Sequence, residues 1–132
     1  MEIVVTEWAL DSYLELKHRQ VFGAQEYRDT LRPDVLDLKN YPAGAKFRVA
    51  KFWSPAVDSA GNPLRSGFKM KWHNIGSGRV QLRLPVGIFA EAILCEAYVK
   101  ENPKEEKRKL ARFKTHLQLI RQGGYTERGR LS

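Results

Sequence analysis

The chain has 132 residues, of which 42% are hydrophobic, with 23 Lys/Arg against 15 Asp/Glu, a formal net charge of +8 and a single cysteine. That length and apolar content suit one domain with its own core and exclude a chain too polar to fold. One cysteine rules out a disulfide within the chain, and no apolar run reaches the length of a membrane-spanning helix. The charge is uneven: residues 1–45 carry five Lys/Arg against eight Asp/Glu, residues 46–99 eight against three, and residues 100–132 ten against four. A basic back two-thirds favours a polyanionic partner. The start, "MEIVVTEW", lacks the basic segment of a signal peptide, so a cytoplasmic location is the expectation.

In chain order, Glu2–Val5 is a short strand candidate. Thr6 suits a helix N-cap with Glu7 in the first turn, and the apolar spacing predicts a helix from Trp8 to about Val21, broken by Gly23. Tyr27, Leu31, Val35 and Leu38 predict a second helix, kinked or restarted at Pro33, so the pair reads as a helical hairpin. Lys46–Trp53 is a strand candidate, and residues 54–67, rich in Pro, Gly and Ser, read as a long connection.

Two alternating strands follow, with Pro85 and Gly87 as punctuation, and then a nearly continuous apolar strand over Ala90–Val99. Cys95 within it reads as a buried, inert thiol. Asn102-Pro103-Lys104-Glu105 is a capping-box helix start, Leu110, Phe113, Leu117 and Ile120 form an apolar stripe, and Gly123-Gly124 ends the helix. The expected fold is α+β. A small, mostly antiparallel sheet of four to five strands packs against an N-terminal helical hairpin and a C-terminal helix. Residues 1–122 form the domain and 123–132 a polar tail.

The stretch "GFKMKWHNIGSGRVQLRL", Gly67–Leu84, carries the chemistry. Phe68, Met70 and Trp72 alternate with Lys69, Lys71 and His73, and Val80, Leu82 and Leu84 alternate with Arg79, Gln81 and Arg83. If the loop holds an odd number of residues, both apolar sets share one face of a hairpin. His73 then faces Arg79, Lys71 faces Gln81, and Lys69 faces Arg83. The other face gathers four cations with no carboxylate in the hairpin. Like charges opposite one another are destabilising, which favours an anionic ligand, yet a charged face turned to solvent is equally compatible with the pattern. The three histidines and one cysteine have no zinc-site spacing, and no cofactor motif is present.

The run Leu64-Arg65, Gly67-Phe68-Lys69, Lys71, then Gly78-Arg79, resembles the RelE/ParE toxin superfamily of bacterial toxin–antitoxin systems, with Ser66 as an extra residue. The close, "CEAYVKENPKEEKRKLARF", is similar to that of HigB-type members. The resemblance implies a metal-independent endoribonuclease that cleaves mRNA, commonly on the ribosome, and inhibits translation. Its partners would be a cognate antitoxin, mRNA and the ribosome. By position it assigns Lys69 or Lys71 as base or electrostatic stabiliser and Arg79 as the holder of the scissile phosphate. His73 becomes a proton shuttle or a local hydrogen-bonding group, and Arg65, Arg83 and Lys100 become RNA-backbone contacts. Many members have an arginine after the last strand and a late catalytic tyrosine; here Lys100 follows that strand, and Tyr125 is the only late tyrosine. His116, on the last helix, suits a structural role. The ParE branch, which inhibits DNA gyrase and lacks RNA-cleaving residues, and a plain nucleic-acid-binding module are the alternatives.

Overall fold

A computed structural model describes all 132 residues. Strand β1 (Ile3–Thr6) runs directly into helix α1 (Glu7–His18). Thr6 makes the junction: its Oγ1 accepts from the Ala9 N–H at 3.2 Å and donates to the Leu94 carbonyl at 2.6 Å, all out of solvent. Thr6→Ala removes the cap and leaves a buried carbonyl without its donor. We expect it to lower unfolding free energy by about 1–3 kcal/mol in urea titrations.

Helix α1 ends before the expected Val21. Gln20 adopts φ +56°, and Val21 N–H bonds back to Leu16 O, the closure that glycine usually provides. The second helical stretch is α2 (Ala24–Glu26), a π-helical turn (Tyr27–Leu31), α3 (Arg32–Leu36) and a 3₁₀ turn (Asp37–Asn40). The widened π turn immediately precedes Pro33, which has no N–H to place in an α ladder, and the helical path continues past it.

Three expectations give way in the middle of the chain. Of Lys46–Trp53, only Trp53 is in a strand; Ala45–Arg48 is a 3₁₀ turn. The turn brings Phe47 edge-on to Trp53 at 5.1 Å, and both rings are buried. Residues 54–67 are mostly strand rather than connection. β2 (Trp53–Val57) and β3 (Pro63–Ile75) pair antiparallel around a short loop, whose Asp58 carboxylate accepts from Ala60 and Asn62 N–H at 2.9 Å each. Ser66, the extra residue of the motif, sits at φ +65° where that pairing shifts register.

β4 (Val80–Ile88) also passes through Pro85, which stands where β4 exchanges one partner for another. The apolar run 90–99 is accordingly split. β5 (Ala92–Leu94) pairs with residues 86–88 of β4, and β6 (Tyr98–Lys100) pairs with residues 81–83. Between them Ala97 N–H donates to Ser12 Oγ of α1 at 2.9 Å.

Helix α4 (Pro103–Arg121) starts as expected, with Asn102 Oδ1 accepting from Glu105 N–H at 2.9 Å. The box is half made, because the Glu105 carboxylate bonds Arg108 at 2.7 Å. The expected polar tail contains β7 (Glu127–Leu131), antiparallel to β1.

The α+β class holds, but the sheet has seven strands and is mixed. Its order is β2-β3-β4-β5-β1-β7 with β6 also on β4, and β1 runs parallel to β5. One face, with Met70, Trp72, Leu82, Leu84 and Val86, is covered by the helical segments between residues 7 and 48. The other, with Val4, Ala56, Leu64, Ile93 and Cys95, is covered by the Leu110–Ile120 stripe of α4. Gly67 and Gly87 are cross-strand partners beneath that helix, and a Cβ on either would come within 3.2 Å of Leu117. This is the physical reason for the glycine in the Leu64–Lys71 run.

Candidate nucleic-acid interface

Lys69 and Lys71 alternate with buried Met70 and Trp72, so they point to the face that α4 covers. The β3–β4 register differs from the expected one by two residues: Lys71 faces Arg83 and Lys69 faces Pro85. An even slip keeps every side chain on its face. Its cause lies in the loop. The strands shift register between Trp72 and Ile75, Asn74 and Gly76 have positive φ, and the Arg79 N–H closes a turn onto Gly76 O at 3.2 Å.

The eight residues singled out by sequence do not form one site. Lys69, Lys71, Arg83 and Lys100 gather on β3, β4 and β6 beside the start of α4. Arg79 lies exposed in the turn at φ +50°, off the strand face. His73 Nε2 is 3.0 Å from Lys51 O, the local hydrogen-bonding role. Arg65 is exposed, and its carbonyl accepts from Arg121 Nη2 at 2.6 Å, at the far end of α4. Tyr125 packs 6.4 Å from Trp8, which stacks on His116 at 3.9 Å. His116 is ten residues along α4 from Glu106, about 15 Å at the helical rise.

Two members of the cluster escape a reading of the hairpin alone. Tyr98 on β6 donates its hydroxyl to Glu106 Oε2 at 2.9 Å. Glu106 also lies 3.9 Å from both Lys69 Nζ and Lys100 Nζ. The cationic face therefore has one carboxylate, supplied by α4. A signal existed: Tyr98 and Lys100 are two apart on a strand and share a side. Glu106 sits in the helix's first turn, next to the Glu105 read as a capping residue.

Burial pushes the Lys69 ammonium below its ordinary pKa, opposed by Glu106 and reinforced by Arg83 and Lys100. Lys71 is lowered by burial first, then by the charges of Lys69, Arg83 and Lys100. Arg83 is 4% exposed and commits its guanidinium to Gln81 Oε1 at 2.6 Å and to the Leu82 and Trp72 carbonyls at 3.3 and 3.4 Å. It is therefore a fixed positive wall rather than a free contact. Burial and the neighbouring Glu106 raise the Tyr98 hydroxyl, keeping it protonated. No three His, Cys, Asp or Glu side chains converge as a metal-binding group.

The lysines make a testable stability statement. A folded pKa below the unfolded value of 10.5 means the unfolded chain binds the Lys71 proton more tightly. The penalty is full below the folded pKa and fades as pH rises through it towards 10.5. Lys71→Met should therefore be more stable than the parent at pH 7. The difference, read from urea midpoints, should shrink as pH approaches 10.

Comparison with protein-family models, curated proteins and solved structures finds no match to this chain. No helix of the fold is long and apolar enough to cross a membrane.

Proposed function

We propose that the protein is a RelE/HigB-like endoribonuclease toxin, held in check by a cognate antitoxin and acting in the cytoplasm on ribosome-bound mRNA. The observation that carries this reading is the convergence of Lys69, Lys71, Lys100 and Arg83 around a single carboxylate, where burial lowers the pKa of Lys69 and Lys71. The motif run at Leu64–Lys71 and the order of strand, helical pair, sheet and helix support it as well.

In this reading the RNA phosphate binds between Lys69 and Lys100, displacing their long contacts to Glu106. Lys71, once deprotonated, takes the proton of the 2′-hydroxyl as that oxygen bonds to phosphorus. The bond to the 5′-oxygen breaks, and the departing oxygen takes a proton from the Lys100 ammonium, leaving a cyclic phosphate. Buried Arg83 contributes fixed charge, and before RNA binds, Glu106, held by Tyr98, keeps the Lys69 and Lys100 ammonium groups side by side.

A second reading is a non-catalytic binder, such as a ParE-like gyrase inhibitor. The placement of Arg79 and Tyr125 away from the lysines, and the hydrogen bond of His73 to a main-chain carbonyl, favour it. One experiment separates the two. The protein is induced in bacteria, 3′ ends of mRNA on translating ribosomes are mapped, and supercoiling by gyrase is assayed in parallel. Growth arrest with new cyclic-phosphate ends and normal supercoiling supports the toxin ribonuclease. Intact mRNA with blocked supercoiling replaces it with the second reading, and no effect on growth, mRNA or gyrase sinks both.

A further inference from the structure

The helical layer over residues 7–48 does not close completely on the sheet. A cavity of about 340 Å³ remains between α1, the stretch from Phe22 to Val35 and strands β1, β4 and β7. Its depth is lined by Leu16, Phe22, Trp72, Leu82 and Leu84. Every lining residue is hydrophobic except Arg32 and the β7 residues Arg128, Gly129 and Arg130, and no carboxylate lines it. The volume lies at the small end of the roughly 300–1,000 Å³ typical of small-molecule sites, and an apolar body with polar groups at one end is the usual form of such sites.

The three arginines are not equally committed. Arg130 is held by Glu91 and by Glu127. Arg32 reaches only the main-chain oxygen of Ser132, at 3.4 Å. Arg128, 54% exposed, has only Glu7, at 3.9 Å. These two stand at opposite ends of β7, Arg32 beside Ser132 and Arg128 beside Glu7. A guanidinium has five N–H donors in a planar fork suited to a carboxylate, and Arg32, with one main-chain partner, keeps donors free for it.

We propose that this cavity binds a single-chain anionic amphiphile, an acyl carboxylate of medium length. Its tail lies among Leu16, Phe22, Trp72 and Leu84, and its carboxylate meets Arg32. The site stands apart from the RNA reading, because Trp72, Leu82 and Leu84 are on the sheet face opposite Lys69 and Lys71.

The test is calorimetric titration of the full chain with octanoate, decanoate and decanol, each below its aggregation concentration. Decanoate should bind one to one and octanoate roughly 15-fold more weakly, as two methylenes at about 0.8 kcal/mol each require. Decanol should bind about tenfold more weakly than decanoate. Arg32→Gln should cost decanoate about tenfold and leave decanol unchanged, which also reports that the variant is folded. Brominated decanoate should quench Trp72, a signal lost in Trp72→Phe. Absence of saturable decanoate binding overturns the proposal. So does equal binding of acid and alcohol, or association only with phosphatidylglycerol vesicles, which would assign the arginines to a lipid surface.

Discussion

Lys71→Ala is expected to lower the rate of mRNA cleavage on ribosomes by about 10²–10⁴-fold, the contribution of a positioned general base. Lys71 is the strongest candidate because no ion pair holds it, whereas Lys69 and Lys100 both face Glu106. Its like-charged neighbours and its burial favour the neutral amine that a base requires. In the parent, cleavage should rise with pH until Lys71 is deprotonated, and the residual rate of the variant should lose that rise. Lys69→Ala should behave differently: removing one cation beside the phosphate weakens RNA binding and lowers the rate without flattening the pH profile. Because Lys71→Met is expected to be more stable than the parent at pH 7, inactivity of a Lys71 variant cannot be blamed on unfolding if its urea midpoint is unchanged or higher. A Lys71→Ala protein as active as the parent would remove Lys71 from the chemistry.

The largest expected loss of stability from a single methyl group is at Gly76. It lies in the β3–β4 turn at φ +70°, and its N–H is shared between the two Glu26 carboxylate oxygens at 3.1 and 3.2 Å. A Cβ there would meet the Val21 carbonyl oxygen at 2.2 Å, a backbone atom with no rotamer to escape into. Gly76→Ala combines a left-handed backbone penalty of about 1–2 kcal/mol with forced separation of the turn from the α1–α2 connection. The total should be about 3 kcal/mol or more, a large part of the roughly 5–15 kcal/mol that holds a domain together. Gly61→Ala is the control: its φ is +83°, yet nothing lies within 4 Å of the new Cβ. It should show the backbone penalty alone. Equal urea midpoints for the two variants would refute the close approach of Gly76 to Val21.

Features governed by nearest neighbours were legible in the sequence. Thr6 and Asn102 cap helices because each cap needs only residues three positions on. The α4 stripe and the alternation of Lys69 and Lys71 with Met70 and Trp72 follow from helical and strand periods. What escaped depends on partners distant in sequence. The hairpin register turned on a bulge near Asn74 that alternation cannot reveal. Pro85 looked like an end because a proline N–H is missing from any ladder, yet it falls where β4 changes partner. The polar segment Glu127–Leu131 has little strand character of its own and is ordered by β1. Of the site, the lysines were visible, but Glu106 and Tyr98 joined them only through the docking of α4.

The place of β1 between β5 and β7 has a consequence in time. Ile3 pairs with Ala92 on one side and with Leu131 on the other, so this apolar strand is made long before either neighbour and waits for both. At about 5–20 residues per second that wait is on the order of ten seconds, with its hydrogen-bonding edges open. The β3–β4 hairpin needs only adjacent sequence and can close well before then. The lysine-bearing ribbon is made before α4, so until α4 is added its cationic side chains lack the Glu106 that tempers them in the finished fold.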